Sequence, residues 1–118
     1  GCFMAIPRVV LNKIGNFSEE YFLYLEDTDY SLRALKRGVE VMYNPNLVLY
    51  HLNGGSTKAG SKLVDYYMTR NRFLIANRYG SWRLRFALIR EGLRNWSDPT
   101  RRRALIDYLS GKLGNRNL

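Results

Sequence analysis

Phe22-Leu23-Tyr24-Leu25-Glu26-Asp27-Thr28-Asp29-Tyr30-Ser31-Leu32-Arg33 is the stretch on which the reading of this chain turns. The run from Tyr21 to Leu25 is apolar and short, as a buried strand would be, and it meets an acidic cluster that leads into a helix. Gly38 ends that helix. Leu32 and Leu35 are expected to face inward, and Asp29 and Arg33 stand four apart, an ion-pair spacing on a helix surface.

Working outward, Gly1 to Val10 is apolar and β-prone and reads as a strand running into Pro7. Asn16-Phe17-Ser18-Glu19-Glu20 has the composition of a turn or helix cap, with Ser18 as the capping residue. Downstream, Val39-Glu40-Val41-Met42-Tyr43 alternates as a half-buried strand does. Asn44-Pro45-Asn46 is turn chemistry, and Leu47-Val48-Leu49-Tyr50 reads as a second strand ending at His51. The segment from Asn53 to Ser61 is a flexible loop and the best internal boundary. Beyond it the chain reads as three helices, from about Leu63 to Tyr79, from about Trp82 to Trp96, and one opened by Ser97-Asp98-Pro99. The expected fold class is therefore α/β, a few short strands plus helices. Residues 1–62 form one part and residues 63–118 a basic helical extension.

A length of 118 residues suits one small domain or a piece of a larger one. With 46% hydrophobic and 25% charged residues, disorder does not account for the chain. It opens on Gly1-Cys2-Phe3-Met4-Ala5-Ile6 without initiator Met or signal-peptide layout, so a processed fragment is expected. The lone Cys2 has no internal disulfide partner and reads as a buried thiol in a reducing compartment. No apolar run approaches the ~20 residues of a membrane span. The net charge of +9 is uneven: residues 1–62 hold 7 Lys/Arg against 6 Asp/Glu, and residues 63–118 hold 12 against 4. The balanced part can hold a catalytic carboxylate, and the basic part faces something anionic.

Glu26 and Asp27 stand where the apolar run meets the helix, and the positive end of the helix dipole favours a carboxylate there. Such a group can act as a general base, taking a proton from an alcohol as it attacks an electrophilic carbon. The plainer reading is that Glu26, Asp27 and Asp29 are first-turn acids serving the helix alone. His51 suits a metal ligand, a phosphate contact or a structural role. With one His and one Cys in the chain, a self-contained zinc site is excluded.

The order of features carries more than any one of them. The acidic block, Gly38, Pro45, His51, Gly54-Gly55-Ser56 and Tyr66-Tyr67-Met68-Thr69-Arg70-Asn71-Arg72 together resemble the second half of family 2 glycosyltransferases. The resemblance is particularly to bacterial rhamnosyltransferase-like and galactofuranosyltransferase-like members, and it covers about residues 1–80. It implies the C-terminal, acceptor-side portion of a GT-A type fold, working in bacterial cell-wall or polysaccharide assembly. It implies Asp27 as catalytic base, Glu26 orienting the acceptor hydroxyl, and His51 ligating a divalent metal (Mn or Mg) that holds the donor diphosphate. Gly1, Cys2 and Tyr24 would lie near the acceptor, with Gly54, Gly55 and Ser56 in a loop over it. The donor would be a nucleotide-diphospho-sugar, and the acceptor a glycan or lipid-linked saccharide. The nucleotide-binding half, with its Asp-x-Asp motif, would lie upstream of Gly1, so the chain alone is expected to be inactive.

In the basic part, Trp82, Phe86, Ile89, Leu93 and Trp96 recur at steps of three or four residues and form one apolar face. Arg83, Arg90 and Arg94 form a stripe beside it. Aromatics flanked by Arg compose a helix lying in a bilayer interface, whereas a core helix with Arg on its wet side is the plainer alternative. Arg101-Arg102-Arg103 occupies a helix's first turn, where the dipole disfavours cations, which points to anionic lipid or a lipid diphosphate. Nucleic acid would suit too, but the aromatics are mostly committed to apolar faces and no nucleic-acid motif is present.

The function expected is therefore a fragment of an inverting, nucleotide-sugar-dependent glycosyltransferase, cytoplasmic or peripheral on the inner membrane face. The rival is a non-catalytic basic membrane or scaffold module.

Overall fold

Five helices carry the regular structure of residues 3–50 and 60–116, the residues described in the computed structural model. They are α1 (Arg8–Ile14), α2 (Glu26–Lys36), α3 (Lys62–Tyr79), α4 (Trp82–Arg94) and α5 (Pro99–Leu109). No strand is present among the described residues, which corrects the α/β expectation. Residues 39–43 and 47–50 do alternate, and the turn between them forms, with Asn46 N–H donating to Asn44 Oδ1 at 3.0 Å. A strand, however, is made by pairing and by packing on a neighbouring face. Here Val41, Met42, Tyr43, Leu47, Val48, Leu49 and Tyr50 are all exposed. With no ladder to join, the alternation has nothing to act on.

The expected strand into Pro7 is also corrected. Residues 8–14 are helical despite Val9 and Val10, because Val10 and Ile14 fall four apart and pack with Tyr30 and Ala34 of α2. Burial against a partner overrides a propensity worth only tenths of a kcal/mol per residue. On α2 itself Tyr30 and Ala34 are buried, Leu32 is half-buried and Leu35 is exposed, so the inward face is not the Leu32–Leu35 face expected. Gly38 does end the helix: at φ +70° it lets its own N–H reach Leu35 O at 3.0 Å and the Val39 N–H reach Ala34 O at 3.0 Å. That pair of bonds satisfies the last carbonyls and turns Val39 back onto the Ile14–Tyr30–Ala34 cluster.

The second part forms as its local signals direct. Ser61 Oγ and Ser81 Oγ accept from Val64 N–H and Leu84 N–H at the starts of α3 and α4. Asp98 Oδ1 accepts from Thr100 and Arg101 N–H at 2.8 and 3.2 Å, with Pro99 at the first position of α5. α3 is the axis of the molecule. Phe73 and Ala76 pack with Leu88 of α4 and Leu105 of α5, while Tyr66 and Tyr67 pack with Ala104, Leu23 and Tyr24. Among the described residues no helix is long and apolar enough to cross a membrane.

Candidate active site

The segment before Glu26 is not a strand but a tight, strained turn. Phe22, Tyr24 and Leu25 all have positive φ, at 58°, 68° and 67°. Non-glycine residues rarely adopt this left-handed conformation, and each costs on the order of 1–3 kcal/mol. What holds them is α3. Asn71 Nδ2 donates to Tyr21 O, Leu23 O and Tyr24 O at 3.0, 2.8 and 2.8 Å. Arg70 Nη2 donates to Glu20 O and Tyr21 O, both at 2.9 Å, and Nη1 to Gly114 O at 2.8 Å. Both side chains are fully buried. Arg70 has no carboxylate among these partners; carbonyl dipoles and the rings of Tyr66 and Tyr67, 5.6 and 4.9 Å from its guanidinium carbon, receive its charge. Arg72 completes the trio by pairing both Nη atoms with Glu91 of α4 at 2.9 and 3.0 Å.

This clamp delivers Glu26 and Asp27 to the first turn of α2, both half-buried. Leu25 precedes them at the cap position and has no side-chain oxygen to offer, so one of the turn's free N–H groups meets a carboxylate instead. Asp27 Oδ1 accepts from Thr28 N–H at 2.7 Å. Among the described residues, Glu26 Oε2 is buried with no hydrogen-bond partner. A carboxylate oxygen in that condition has an acceptor capacity the fold does not use.

Asp29, two residues on, does something different. It is fully buried, and its Oδ1 accepts from Tyr79 OH at 2.7 Å, Tyr21 OH at 3.0 Å and Arg78 Nη1 at 3.3 Å. Its Oδ2 accepts from Arg33 Nε at 2.9 Å, the expected i,i+4 pair. Burial alone would raise the Asp29 pKa, but the hydrogen bonds from Tyr79, Tyr21 and Arg33 outweigh it and hold the carboxyl below its ordinary value. Arg78 also pairs with Glu20. Asp29 is a structural hub joining the turn, α2 and the end of α3.

Of the residues singled out in the sequence, the structure brings together Glu26, Asp27 and Tyr24, the last on the clamped turn itself. Gly1, Cys2, His51, Gly54, Gly55 and Ser56 lie outside the described residues. Among the described residues no three His, Cys, Asp or Glu side chains group closely enough to hold a metal. A groove of about 850 Å³ lies between residues 3–7 and 39–49 over Tyr30, Ser31 and Ala34. Its lining is mostly apolar, with Glu40 as a carboxylate, and it includes neither Glu26 nor Asp27.

Over 85 residues, 70% of the chain, the sequence is 32% identical to N-acetylglucosaminyl-diphospho-decaprenol L-rhamnosyltransferase of Mycobacterium tuberculosis, in two strains. The likeness is to a glycosyltransferase. The matched region is only 28% of that relative's length. No protein-family model matches the chain, and no solved structure matches it.

With a glycosyltransferase relation in view, Arg70 and Asn71 are the residues that sequence reasoning left without a role. Of the Arg-Asn-Arg segment, Arg70 and Asn71 bond directly to the backbone of the turn that leads into the acidic pair. The available signal was the polar run Thr69-Arg70-Asn71-Arg72 set between core-forming Tyr66, Tyr67, Phe73 and Leu74 on one helix. Buried polar side chains on such a helix must have partners, and carbonyls of a strained turn are what they found.

Proposed function

We propose that this chain is the acceptor-side, C-terminal part of an inverting glycosyltransferase that moves a sugar from a nucleotide-diphospho-sugar to a hydroxyl of a glycan or lipid-linked saccharide. The observation that carries the reading is the likeness to the mycobacterial rhamnosyltransferase, whose name specifies a diphospho-decaprenol-linked N-acetylglucosamine. The geometry supports it through Asp27 and Glu26, an acidic pair on a helix start held by the Arg70–Asn71 clamp. In the proposed reaction Asp27 takes the proton of the acceptor hydroxyl while that oxygen bonds to the anomeric carbon. The bond to the diphosphate oxygen breaks on the opposite face, which inverts the centre. Glu26, through its unpartnered Oε2, orients the acceptor. A divalent metal (Mn or Mg) with His51 among its ligands belongs to the proposal, though the described residues alone do not form a cage for it.

The test uses the complete transferase carrying this segment. Asp27→Asn is expected to lower turnover by roughly 10²–10⁴ while donor affinity holds, because a base acts in the transition state. Near-normal turnover would pass the role to another group. In the same assay a chelator should stop transfer, and His51→Ala should raise the metal concentration needed to restore it.

A further inference from the structure

Leu88 and Gly92 decide which side of α4 faces the protein. Leu88 is buried among Phe73, Ala76 and Leu105, and a Cβ at Gly92 would stand 3.0 Å from Leu105 Cδ2 and 3.2 Å from Phe73 Cζ. At the helical rotation per residue, Trp82, Phe86, Ile89 and Leu93 share one narrow strip roughly a third of a turn from that packed side. The strip has no cover. Trp82, Phe86, Leu93 and Ile89 are 72%, 64%, 61% and 46% exposed. Such a strip is what a core helix would bury and this one does not.

Arg83, Arg90 and Arg94 form a row about a quarter-turn further round, away from the protein. Among the described residues none of the three has an acidic partner. Arg83 instead lies 5.4 Å from the Trp82 ring. The one acid of α4, Glu91, is on another side and is already paired with Arg72 at 2.9 Å. The Arg101–Arg103 run differs, because Arg101 pairs with Asp98 at 3.5 Å, Arg103 with Asp107 at 3.9 Å, and Arg102 donates to Trp96 O at 3.3 Å. Among the described arginines of α4 and α5, those with neither an acid nor a carbonyl as partner are therefore the ones beside the apolar strip.

We propose that this side of α4 docks on an anionic membrane surface, with Trp82, Phe86, Ile89 and Leu93 in the headgroup–acyl boundary and Arg83, Arg90 and Arg94 on lipid phosphates. Charge complementarity selects the occupant. A bilayer offers phosphate along the whole roughly 20 Å of a 13-residue helix, beside hydrocarbon, whereas a protein groove would have to supply a matching row of acids. Tryptophan stands at the start of the strip and again at Trp96, and its ring prefers the headgroup level. The helix is too short to span, so it lies in the plane. The inference rests on α4 alone and stands or falls apart from the transferase reading.

The test is co-sedimentation of the chain with phosphatidylglycerol–phosphatidylcholine vesicles and with phosphatidylcholine vesicles, following tryptophan emission. Docking predicts binding to the anionic vesicles only, a blue shift of emission, and release as salt rises from 0.1 to 1 M, where the screening length falls from ~10 Å to ~3 Å. The triple change Arg83→Gln, Arg90→Gln, Arg94→Gln should lower partitioning about a hundredfold with helicity unchanged by circular dichroism. Removing equal charge at the exposed Arg8, Lys13 and Lys112 should lower it far less. Phe86→Ser with Leu93→Ser tests the apolar half and should abolish the blue shift. Equal losses from both charge variants would reduce the effect to net charge and overturn the proposal. So would vesicle-independent burial of the tryptophans in a dimer, or no sedimentation with anionic vesicles.

Discussion

The Asn71 amide has two N–H groups and meets three carbonyls of a turn that would not hold its shape unaided. Asn71→Leu keeps the volume and removes every one of those bonds, leaving buried carbonyls unpaired beside three left-handed residues. An unpaired buried group costs about 1–3 kcal/mol, so a loss of roughly 2–4 kcal/mol is expected, read from the urea midpoint. In the complete transferase turnover should fall with donor affinity retained, since the turn sets where Glu26 and Asp27 point. A variant with native stability would show that the turn is held by its own packing. At this scale the i,i+4 pairing of Asp29 with Arg33 was legible, because it depends only on helix spacing. The tyrosines and the arginine that also converge on Asp29 come from 8 and about 50 residues away, and no local pattern announces them.

At the scale of elements, α5 offers the clearest test of local determination. Asp98 accepts two of the helix's free N–H groups, and Pro99 supplies the fixed φ of its first position. Asp98→Ala is expected to cost about 1 kcal/mol, or roughly 3–6 °C in melting temperature by calorimetry. A melting temperature unchanged within a degree would mean that packing of Ala104 and Leu105 on α3 fixes the helix without its cap. The helices after residue 60 were readable because caps, periodicity and breakers are all near neighbours in sequence. The strands proposed over residues 39–43 and 47–50 were not a matter of local chemistry. Alternation states which face would be buried if a sheet were there; it does not provide the sheet.

For the molecule as a whole, the polar core makes a prediction about alkali. Burial, reinforced by Asp107, pushes the Tyr66 hydroxyl up to about 12, and burial with Asp29 does the same to Tyr79. Tyr21, buried beside Asp29, is pushed higher still. A tyrosine that holds its proton more tightly when folded contributes stability in full below its unfolded pKa of about 10 and loses it as pH rises through the folded value. Stability should therefore fall between about pH 10 and 12. Absorbance at 295 nm and circular dichroism should show these three tyrosines ionising last, together with the loss of helix. Complete tyrosine ionisation near pH 10 with helix intact would refute the buried network. The radius of gyration is 15.8 Å against about 13.5 Å for a compact chain of this length, in keeping with the uncovered apolar surfaces on residues 41–50 and on α4.

The sequence by itself determined the helices of the second part, the stop at Gly38, the uneven charge and the acidic pair at Glu26–Asp27. Each depends on residues within a turn or two of one another, or on composition alone. Only the tertiary structure decided that Tyr21–Leu25 is a clamped left-handed turn, that Arg70 and Asn71 are its clamp, and that α4 keeps its apolar strip outside. Backbone conformation at Phe22, Tyr24 and Leu25 goes against local preference and is held by donors almost fifty residues away. A helix likewise cannot state from its own periodicity which face meets the protein. Leu88 and Gly92, against Phe73 and Leu105, settle that, and contacts so distant along the chain exist only once it has folded.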